Sequence, residues 1–265
     1  MLKLDIPMCR MRDLTMPVFL ALSALILTPL LTPVVQAKDL KIGVGNFPPY
    51  FSEKGNTGLF TDLILETFKL MPQHQLKSVV PMSNYRLIVE LNEGRVDGSA
   101  NIFSDAKITG CRSDPIFRYS DVAVSRKDRN LNIYAISDLK GKSIITYQGA
   151  HTFLGNPFQQ VTSVEPTMYR EVSQPSDQAG LLASGKFDVS VGDMYIFLNS
   201  VQTWSDARYT TDHFTIHRLF PDIYSHMAFQ DQALCDEFNV ALRTIKKNGT
   251  YEAVYAQYLK KLSQR

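Results

Sequence analysis

Two histidines, His213 and His217, stand four residues apart, a spacing that on a helix would let both imidazole rings bind one metal ion. The segment "HFTIH" alternates polar and apolar residues, however, and alternation predicts a β-strand. Along a strand the two residues would lie about 13 Å apart, too far to share an ion. We therefore expect structural or surface histidines, and the sequence predicts neither a metal site nor a cofactor.

Two segments resemble glycine-rich phosphate-binding motifs, but each lacks a glycine that its motif requires. In "GVGNFP" at 43–48, Pro48 stands where a dinucleotide fingerprint needs its third glycine. In "GKS" at 141–143, Ile136 replaces the leading glycine of a P-loop. The sequence contains no HExxH, GxSxG or CxxC motif, and its carboxylates form no recognisable acid and base pair. We predict that the protein is not an enzyme.

Composition and charge indicate a folded protein with no electrostatic preference for nucleic acid. The chain has 265 residues, 45% of them hydrophobic and 20% charged, which suits one large or two smaller globular domains. Its formal net charge of +2 gives no reason to expect nucleic acid as a partner. We expect a monomer.

The N-terminus predicts export. Three basic residues precede an apolar run at 16–35, and "VVQA" follows at its end. This pattern is typical of a secretory signal peptide at 1–37, cleaved after Ala37, and it predicts a periplasmic protein. An uncleaved anchor is the alternative, because the run approaches the ~20 residues that span a bilayer.

Two cysteines, Cys111 and Cys235, follow the predicted signal peptide. In an oxidising compartment they could form one disulfide. Two free buried thiols are the alternative, because the sequence does not give the Cα separation that a bridge requires.

Strand and helix patterns alternate in each half of the remaining chain. "LKIGV" at 40–44, "SVV" at 78–80 and "VDGSANI" at 96–102 are typical of strands, and amphipathic helices separate them. The order restarts in the second half with "SIITY", "SDQAGLLAS" and "FDVSVGD". Such β-α-β units form mainly parallel sheets covered by helices, so we predict an α/β fold.

One short pattern occurs twice, as "LNEGRVDGS" from Leu91 and as "LASGKFDVS" from Leu182. In each copy a leucine ends a helix, a glycine follows where φ is positive, and an aspartate begins the next strand. We interpret the pattern as a helix-to-strand joint used once in each half. Asp97 and Asp188 are therefore expected to serve the joint and not a ligand.

Five segments in chain order carry a family resemblance. They are "KIGVGNFPPYFSEKGNTGLFTDLILETF", "LNEGRVDGSANIFSDAK", "ISDLKGKSIITYQGAHT", "LLASGKFDVSVGD" and "FNVALRTIKKNGTYEAVYAQYL". Together they resemble the periplasmic solute-binding proteins of amino-acid ABC transporters, the family 3 group. The resemblance implies a type II periplasmic binding fold with two α/β lobes, each a mainly parallel sheet flanked by helices, joined by two hinge strands.

The resemblance also implies where the lobes divide. Lobe one would comprise 38–122 and 228–265, and lobe two 123–227. The hinge strands would be "DVAVSRKD" at 121–128 and "YSHMAFQD" at 224–231. A ligand would bind between the lobes, near the carboxyl ends of strands and the N-termini of helices.

Members of this family hold an amino acid by aromatic stacking, an arginine for its carboxylate and an aspartate for its ammonium group. The matching positions in this chain are Phe47, Tyr85, Asn101, Ser104, Tyr147, Gln148, Gly149, Ala150, His151 and Asp193. Asp193 matches the ammonium partner, although it could instead cap the next helix. Phe47 and Tyr85 could instead be core aromatics.

The chain departs from the family at the carboxylate partner. Where the family commonly has Thr-Pro-x-Arg, this sequence has "SDAK", which leaves Lys107 at that place. Lysine cannot make the planar bidentate contact of arginine. Arg86 could supply the missing guanidinium, or it could form a surface ion pair.

These observations predict capture of a small polar metabolite, an amino acid or a related anion or zwitterion, by hinge closure for delivery to an ABC permease. An enzyme on the same fold, similar to cyclohexadienyl or arogenate dehydratases, is one alternative, and it would need a general acid in the cleft. An orphan binding protein that serves a sensor is the other.

Overall fold

The computed structural model describes residues 38–164, 168–204 and 209–264. The predicted signal peptide at 1–37 lies outside these residues. Among the helices of the described part of the chain, none is both long and apolar enough to cross a membrane.

The described residues form ten strands and eight helices. The strands are β1 Lys38–Val44, β2 His74–Pro81, β3 Gly98–Ile102, β4 Cys111–Tyr119, β5 Asp121–Arg126, β6 Ile144–Tyr147, β7 Tyr169–Val172, β8 Val189–Asp193, β9 Phe214–His217 and β10 Ile223–Phe229. The helices are α1 Leu59–Phe68, α2 Asn84–Asn92, α3 Ala150–Phe153, α4 Asn156–Thr162, α5 Pro175–Ala183, α6 Met194–Thr203, α7 Gln232–Lys247 and α8 Thr250–Ser263.

The strands form two sheets with the same plan. One has the order β2-β1-β3-β10-β4 and the other the order β7-β6-β8-β5-β9. In each, three neighbouring strands are parallel and the strand beside them, β10 or β5, is antiparallel. This arrangement confirms the predicted α/β class with two mainly parallel sheets, because β-α-β crossovers place successive strands side by side.

The chain crosses between the sheets twice, at Ser120 and at residues 218–222. The predicted hinge strands at 121–128 and 224–231 differ from this. Strand β5 pairs with β8 and β9 inside the second sheet, and β10 pairs with β3 and β4 inside the first. Both strands have a partner on each side, which satisfies their backbone groups within one sheet and leaves only the short connections to cross.

The repeated joint has the predicted form in both sheets. Gly94 follows α2 with φ of 68° and Gly185 follows α5 with φ of 73°, a conformation that favours glycine. Asp97 accepts a 2.8 Å hydrogen bond from the backbone N–H of Lys41. Asp188 accepts one of 2.9 Å from the N–H of Ser143, just before β6. Asp97 thus fixes β3 to its parallel neighbour β1, and Asp188 fixes β8 to the start of its parallel neighbour β6.

A disulfide joins Cys111 to Cys235, with their Cα atoms 6.2 Å apart. It connects the start of β4, an edge strand of the first sheet, to the first turn of α7, which packs against β4. A buried aromatic cluster fills the core there, with Phe60 and Phe117 4.7 Å apart between ring centroids. The C-terminal helix reaches the other lobe, because the Gln202 side chain of α6 donates to the carbonyl of Leu262 at 2.8 Å.

Candidate functional site

A cavity of about 630 Å³ lies between the two sheets. Its lining residues come from both: Asn84, Phe103, Asp105, Tyr119, Asp121, Tyr147, Phe153, Pro175, Gln178, Asp193, Ile196, Phe197 and Ile223. This volume suits a small molecule. A second cavity, of about 350 Å³, is lined by residues of the second lobe alone, Tyr209 and His213 among them.

Two aspartates form the floor of the larger cavity. Asp121 begins β5 and Asp193 ends β8, and the two are direct cross-strand partners. Cross-strand partners extend their side chains from the same face of a sheet. Only 6% of Asp121 and 9% of Asp193 is exposed, so the cavity floor carries two nearly buried carboxyl groups.

Asp193 has several protein partners. Its carboxylate accepts hydrogen bonds from the Tyr50 hydroxyl at 2.7 Å, the Ser120 N–H at 2.9 Å and the Ile196 N–H at 3.0 Å. Burial raises the pKa of Asp193 to about 6, although these hydrogen bonds oppose the shift. Asp193 therefore caps α6, which is the structural alternative that the sequence left open. It also links Tyr50 of lobe one to Ser120 at the first crossing. Its role as an ammonium partner stays a prediction.

Asp121 is less well satisfied and is absent from the predicted site. Its carboxylate accepts one hydrogen bond from the Tyr147 hydroxyl, at 3.3 Å. Burial, and the neighbouring charge of Asp193, raise the pKa of Asp121 to about 7. The sequence signal that could have identified it is an aspartate directly before the apolar residues "VAV". Aspartate is rarely buried in a protein, so its position at the start of a buried strand indicates a functional or structural role.

Asn101 holds the first-lobe wall together behind the lining. It adopts φ of 58°, and its side-chain oxygen accepts from the Tyr119 hydroxyl at 2.6 Å and the Ser225 hydroxyl at 2.7 Å. Its amide donates to the Asn84 side chain at 3.1 Å. Ser104 is exposed and pairs with the His226 ring at 3.1 Å. These two predicted residues thus position or adjoin lining residues without being part of the lining themselves.

The predicted aromatic pair does not line the cavity. Phe47 is half-buried and packs edge-on against Phe51, with ring centroids 5.5 Å apart. Tyr85 stands beside Asn84 at the start of α2, with 79% of its surface exposed. Aromatic rings that do border the cavity are those of Phe103, Tyr119, Tyr147 and Phe153. Phe103 directly follows β3 in the segment "SANIFSDAK", where the sequence prediction includes the polar residues Asn101 and Ser104 and omits this ring.

The turn after β6 is occupied by a side chain of the protein itself. The N–H groups of Gly149 and His151 donate to the carboxylate of Glu171 at 2.8 and 3.1 Å, and the Tyr169 hydroxyl donates to it at 2.7 Å. These hydrogen bonds, the one from Gly149 most of all, lower the pKa of Glu171.

The other predicted residues of this turn are not among the residues that line the cavity. Gln148 is exposed, Ala150 is fully buried, and the His151 ring bonds the Thr162 hydroxyl at 3.2 Å. Of the five predicted residues at 147–151, Tyr147 is the one that reaches the cavity.

Neither predicted carboxylate partner borders the cavity. Arg86 pairs with Glu90 at 3.1 Å, and Glu90 also pairs with Arg95 at 2.7 Å. The Lys107 carbonyl accepts a hydrogen bond from Asn92, at the end of α2 that lies about 12 Å from Asn84 at 1.5 Å per residue. Among the described residues that line the cavity, none is a lysine, arginine or histidine.

Comparison with known proteins gives a family match over nearly all of the described chain. The sequence pattern of the bacterial extracellular solute-binding proteins, family 3, matches residues 40–261. The arginine-binding periplasmic protein of Mannheimia haemolytica is 26% identical over 235 residues, which are 84% of this chain and 92% of that protein. The L-cystine-binding protein TcyJ of Bacillus subtilis strain 168 is 24% identical over 243 residues, 87% of this chain and 84% of that one.

The fold is also similar to that of solved structures. The second substrate-binding domain of a putative amino acid ABC transporter from Streptococcus pneumoniae superposes with a TM-score of 0.65 at 19% identity. The superposition covers 83% of this chain and 99% of that domain. At this identity the likeness shows the fold alone.

Proposed function

The chain belongs to the bacterial extracellular solute-binding proteins of family 3, and from that premise we propose that it captures a small polar metabolite in the cavity between its lobes. The observation that carries this proposal is the cavity of about 630 Å³ whose lining comes from both sheets and whose floor is charged. The names of the relatives, which bind arginine and cystine, support an amino acid or a related compound.

Hinge closure is the proposed mechanism. Two short crossings, at Ser120 and 218–222, connect the lobes, and a ligand that contacts both walls stabilises the closed form. Tyr85 beside one wall and Phe153 on the other expose 79% and 70% of their surfaces. Closure would remove these rings from water, which adds to its driving force. The closed protein would then deliver its ligand to a membrane permease.

The charge of the cavity narrows the proposed ligand. Asp105, Asp121 and Asp193 contribute carboxyl groups to the lining, and no cationic side chain among the described lining residues balances them. An anion would be repelled by this arrangement, whereas an ammonium group is attracted to it. We therefore assign Asp121 and Asp193 to the cationic end of the ligand, and a carboxylate contact by Lys107 or Arg86 is not part of the proposal.

One observation favours an enzyme on the same fold. A general acid near neutral pH needs a raised pKa, and that of Asp121 lies at about 7. The charge of the cavity argues against a dehydratase of prephenate or arogenate, because such substrates carry carboxylates and the described lining offers no cation to hold them. Binding without chemistry is the better supported function.

A thermal-shift screen of the purified protein against amino acids, amines, organic acids and short peptides tests the proposal. A ligand at 100 times its dissociation constant adds about 2.7 kcal/mol to the free energy of unfolding. NMR spectra of protein and ligand over several hours then separate binding from turnover, since an enzyme consumes the compound. If no compound raises the melting temperature, capture of a small metabolite is wrong.

A further inference from the structure

The cavity is lined by three aspartates, and none of the described lining residues supplies a positive charge. Asp121 is the extreme case, because it is 6% exposed, lines the cavity and receives one hydrogen bond, the 3.3 Å contact from Tyr147. A buried carboxylate without a cationic partner is costly, and the cost disappears when a bound cation supplies the charge. The floor of the cavity therefore indicates a ligand with a positively charged group.

Two sets of groups that could receive a ligand carboxylate are already engaged. Arg86 is bound to Glu90, and Glu90 is shared with Arg95. The N–H groups of Gly149 and His151 would suit a carboxylate, but the carboxylate of Glu171 occupies them at 2.8 and 3.1 Å. A ligand carboxylate at the turn would have to displace Glu171, and among the described lining residues there is no cationic side chain to receive it elsewhere.

The rest of the lining suits a chain of methylene groups. Pro175, Ile196, Phe197 and Ile223 present carbon atoms beside the aspartate pair. Asp105 contributes a further, exposed carboxylate from the first-lobe side, where Phe103 also lines the cavity. An aromatic face and a carboxylate together attract a second cationic group.

Building on the proposed function, we infer that the ligand is an aliphatic amine with at least two positive charges and no carboxylate. One ammonium group lies on Asp121 and the Tyr147 hydroxyl, close to Asp193. The methylene chain lies along the apolar wall, and the second cationic group faces Asp105.

Calorimetric titration at pH 8 with matched pairs of compounds tests this ligand class. The pairs are 1,5-diaminopentane and lysine, 1,4-diaminobutane and ornithine, and agmatine and arginine, whose members differ only by a carboxylate. We expect the amine to bind at least tenfold more tightly than its amino acid. Equal or tighter binding by the amino acid overturns this inference and leaves the proposed function standing, as does a neutral or acidic amino acid that binds more tightly than every amine. If no compound of the wider screen binds, both proposals fall.

Three variants test the placement of the charges on the bound amine. Asp121→Asn keeps the shape of the side chain and should weaken binding by about thirtyfold or more. Asp105→Asn, at an exposed position, should weaken it by about threefold to tenfold. Asp236→Asn is the matched control, because it removes one exposed charge from α7 and should leave affinity unchanged.

Unchanged affinity in Asp121→Asn would refute the assignment of the ammonium site. A melting curve shows whether that variant is folded. If it is not, the comparison of Asp105→Asn with Asp236→Asn decides, since equal affinities in those two variants contradict a second cationic group at Asp105.

Discussion

The two lobes have the same helix-to-strand joint but differ in the residues at the cavity ends of their strands. Asp97 and Asp188 stand at equivalent joints and accept hydrogen bonds of 2.8 and 2.9 Å from the backbone N–H groups of Lys41 in β1 and of Ser143 just before β6. At the other end of the same strands, lobe one has the neutral Asn101 and lobe two has Asp193. Asp121, from a neighbouring strand, adds a second charge to lobe two alone. The shared residues build the sheet, and the unshared ones give the cavity its charge.

The disulfide should give the largest difference between the lobes in their contribution to stability, because it joins two residues of lobe one. It closes a loop between residues 124 positions apart, so it restricts the unfolded chain strongly. A double variant, Cys111→Ser with Cys235→Ser, should lose about 3 to 5 kcal/mol of unfolding free energy, measured by urea denaturation. A reducing agent should lower the stability of the wild type and leave that of the double variant unchanged. Equal stability of the two proteins would contradict the bond.

Asp193 should be the most sensitive single position at the inner ends of the strands. Asp193→Ala removes the cap of α6 and leaves the buried Tyr50 hydroxyl and the Ser120 N–H without their acceptor. We expect a loss of about 3 kcal/mol, measured by urea denaturation, against about 2 kcal/mol for Asn101→Ala. Asp193→Asn, which keeps one acceptor oxygen, should lose less than Asp193→Ala. A larger loss at Asn101 would reverse the contrast.

The pH dependence of stability without ligand should reside in lobe two. The pKa of Asp121 is raised to about 7 by burial and by Asp193, with the Tyr147 hydroxyl opposing the shift. A group with a raised folded pKa stabilises the protein at low pH, and this contribution is lost as pH rises through that pKa. Asp121→Asn should therefore be more stable than the wild type by up to about 4 kcal/mol at pH 8, with the difference shrinking toward pH 4. Melting curves across this range would contradict the prediction if the difference were constant.

The two joints should give the smallest contrast. Asp97→Ala and Asp188→Ala each remove an acceptor for a backbone N–H, and each should cost about 1 to 2 kcal/mol in urea denaturation. Asp188 should lose slightly more, since it also pairs with Arg129 at 2.8 Å. A difference above about 2 kcal/mol would show that the joints are not equivalent.

Local sequence was sufficient for the fold and for part of the site. The repeated joint, the strand patterns and the family motifs predicted two α/β lobes, because helix ends and strand periodicity depend on neighbouring residues. The predicted positions of the two crossings differ from the observed ones, because β5 and β10 pair with strands that are distant in the chain and local sequence does not show this pairing. Tyr147 and Asp193 were predicted and line the cavity, whereas Asp121 was missed.

The residues available for binding were decided by contacts between distant parts of the chain. Arg86 has the right chemistry for a carboxylate, but it pairs with Glu90, which also pairs with Arg95. From the sequence, the N–H groups of the turn at Gly149 would be expected to be available to a ligand. In the structure, Glu171 from the next strand accepts the hydrogen bond of the Gly149 N–H. The sequence by itself determined the strands and the joints, since these follow from short-range periodicity, and the family resemblance implied the two lobes. Only the tertiary structure decided which charges remain uncompensated, because pairing depends on distances that the order of residues does not give.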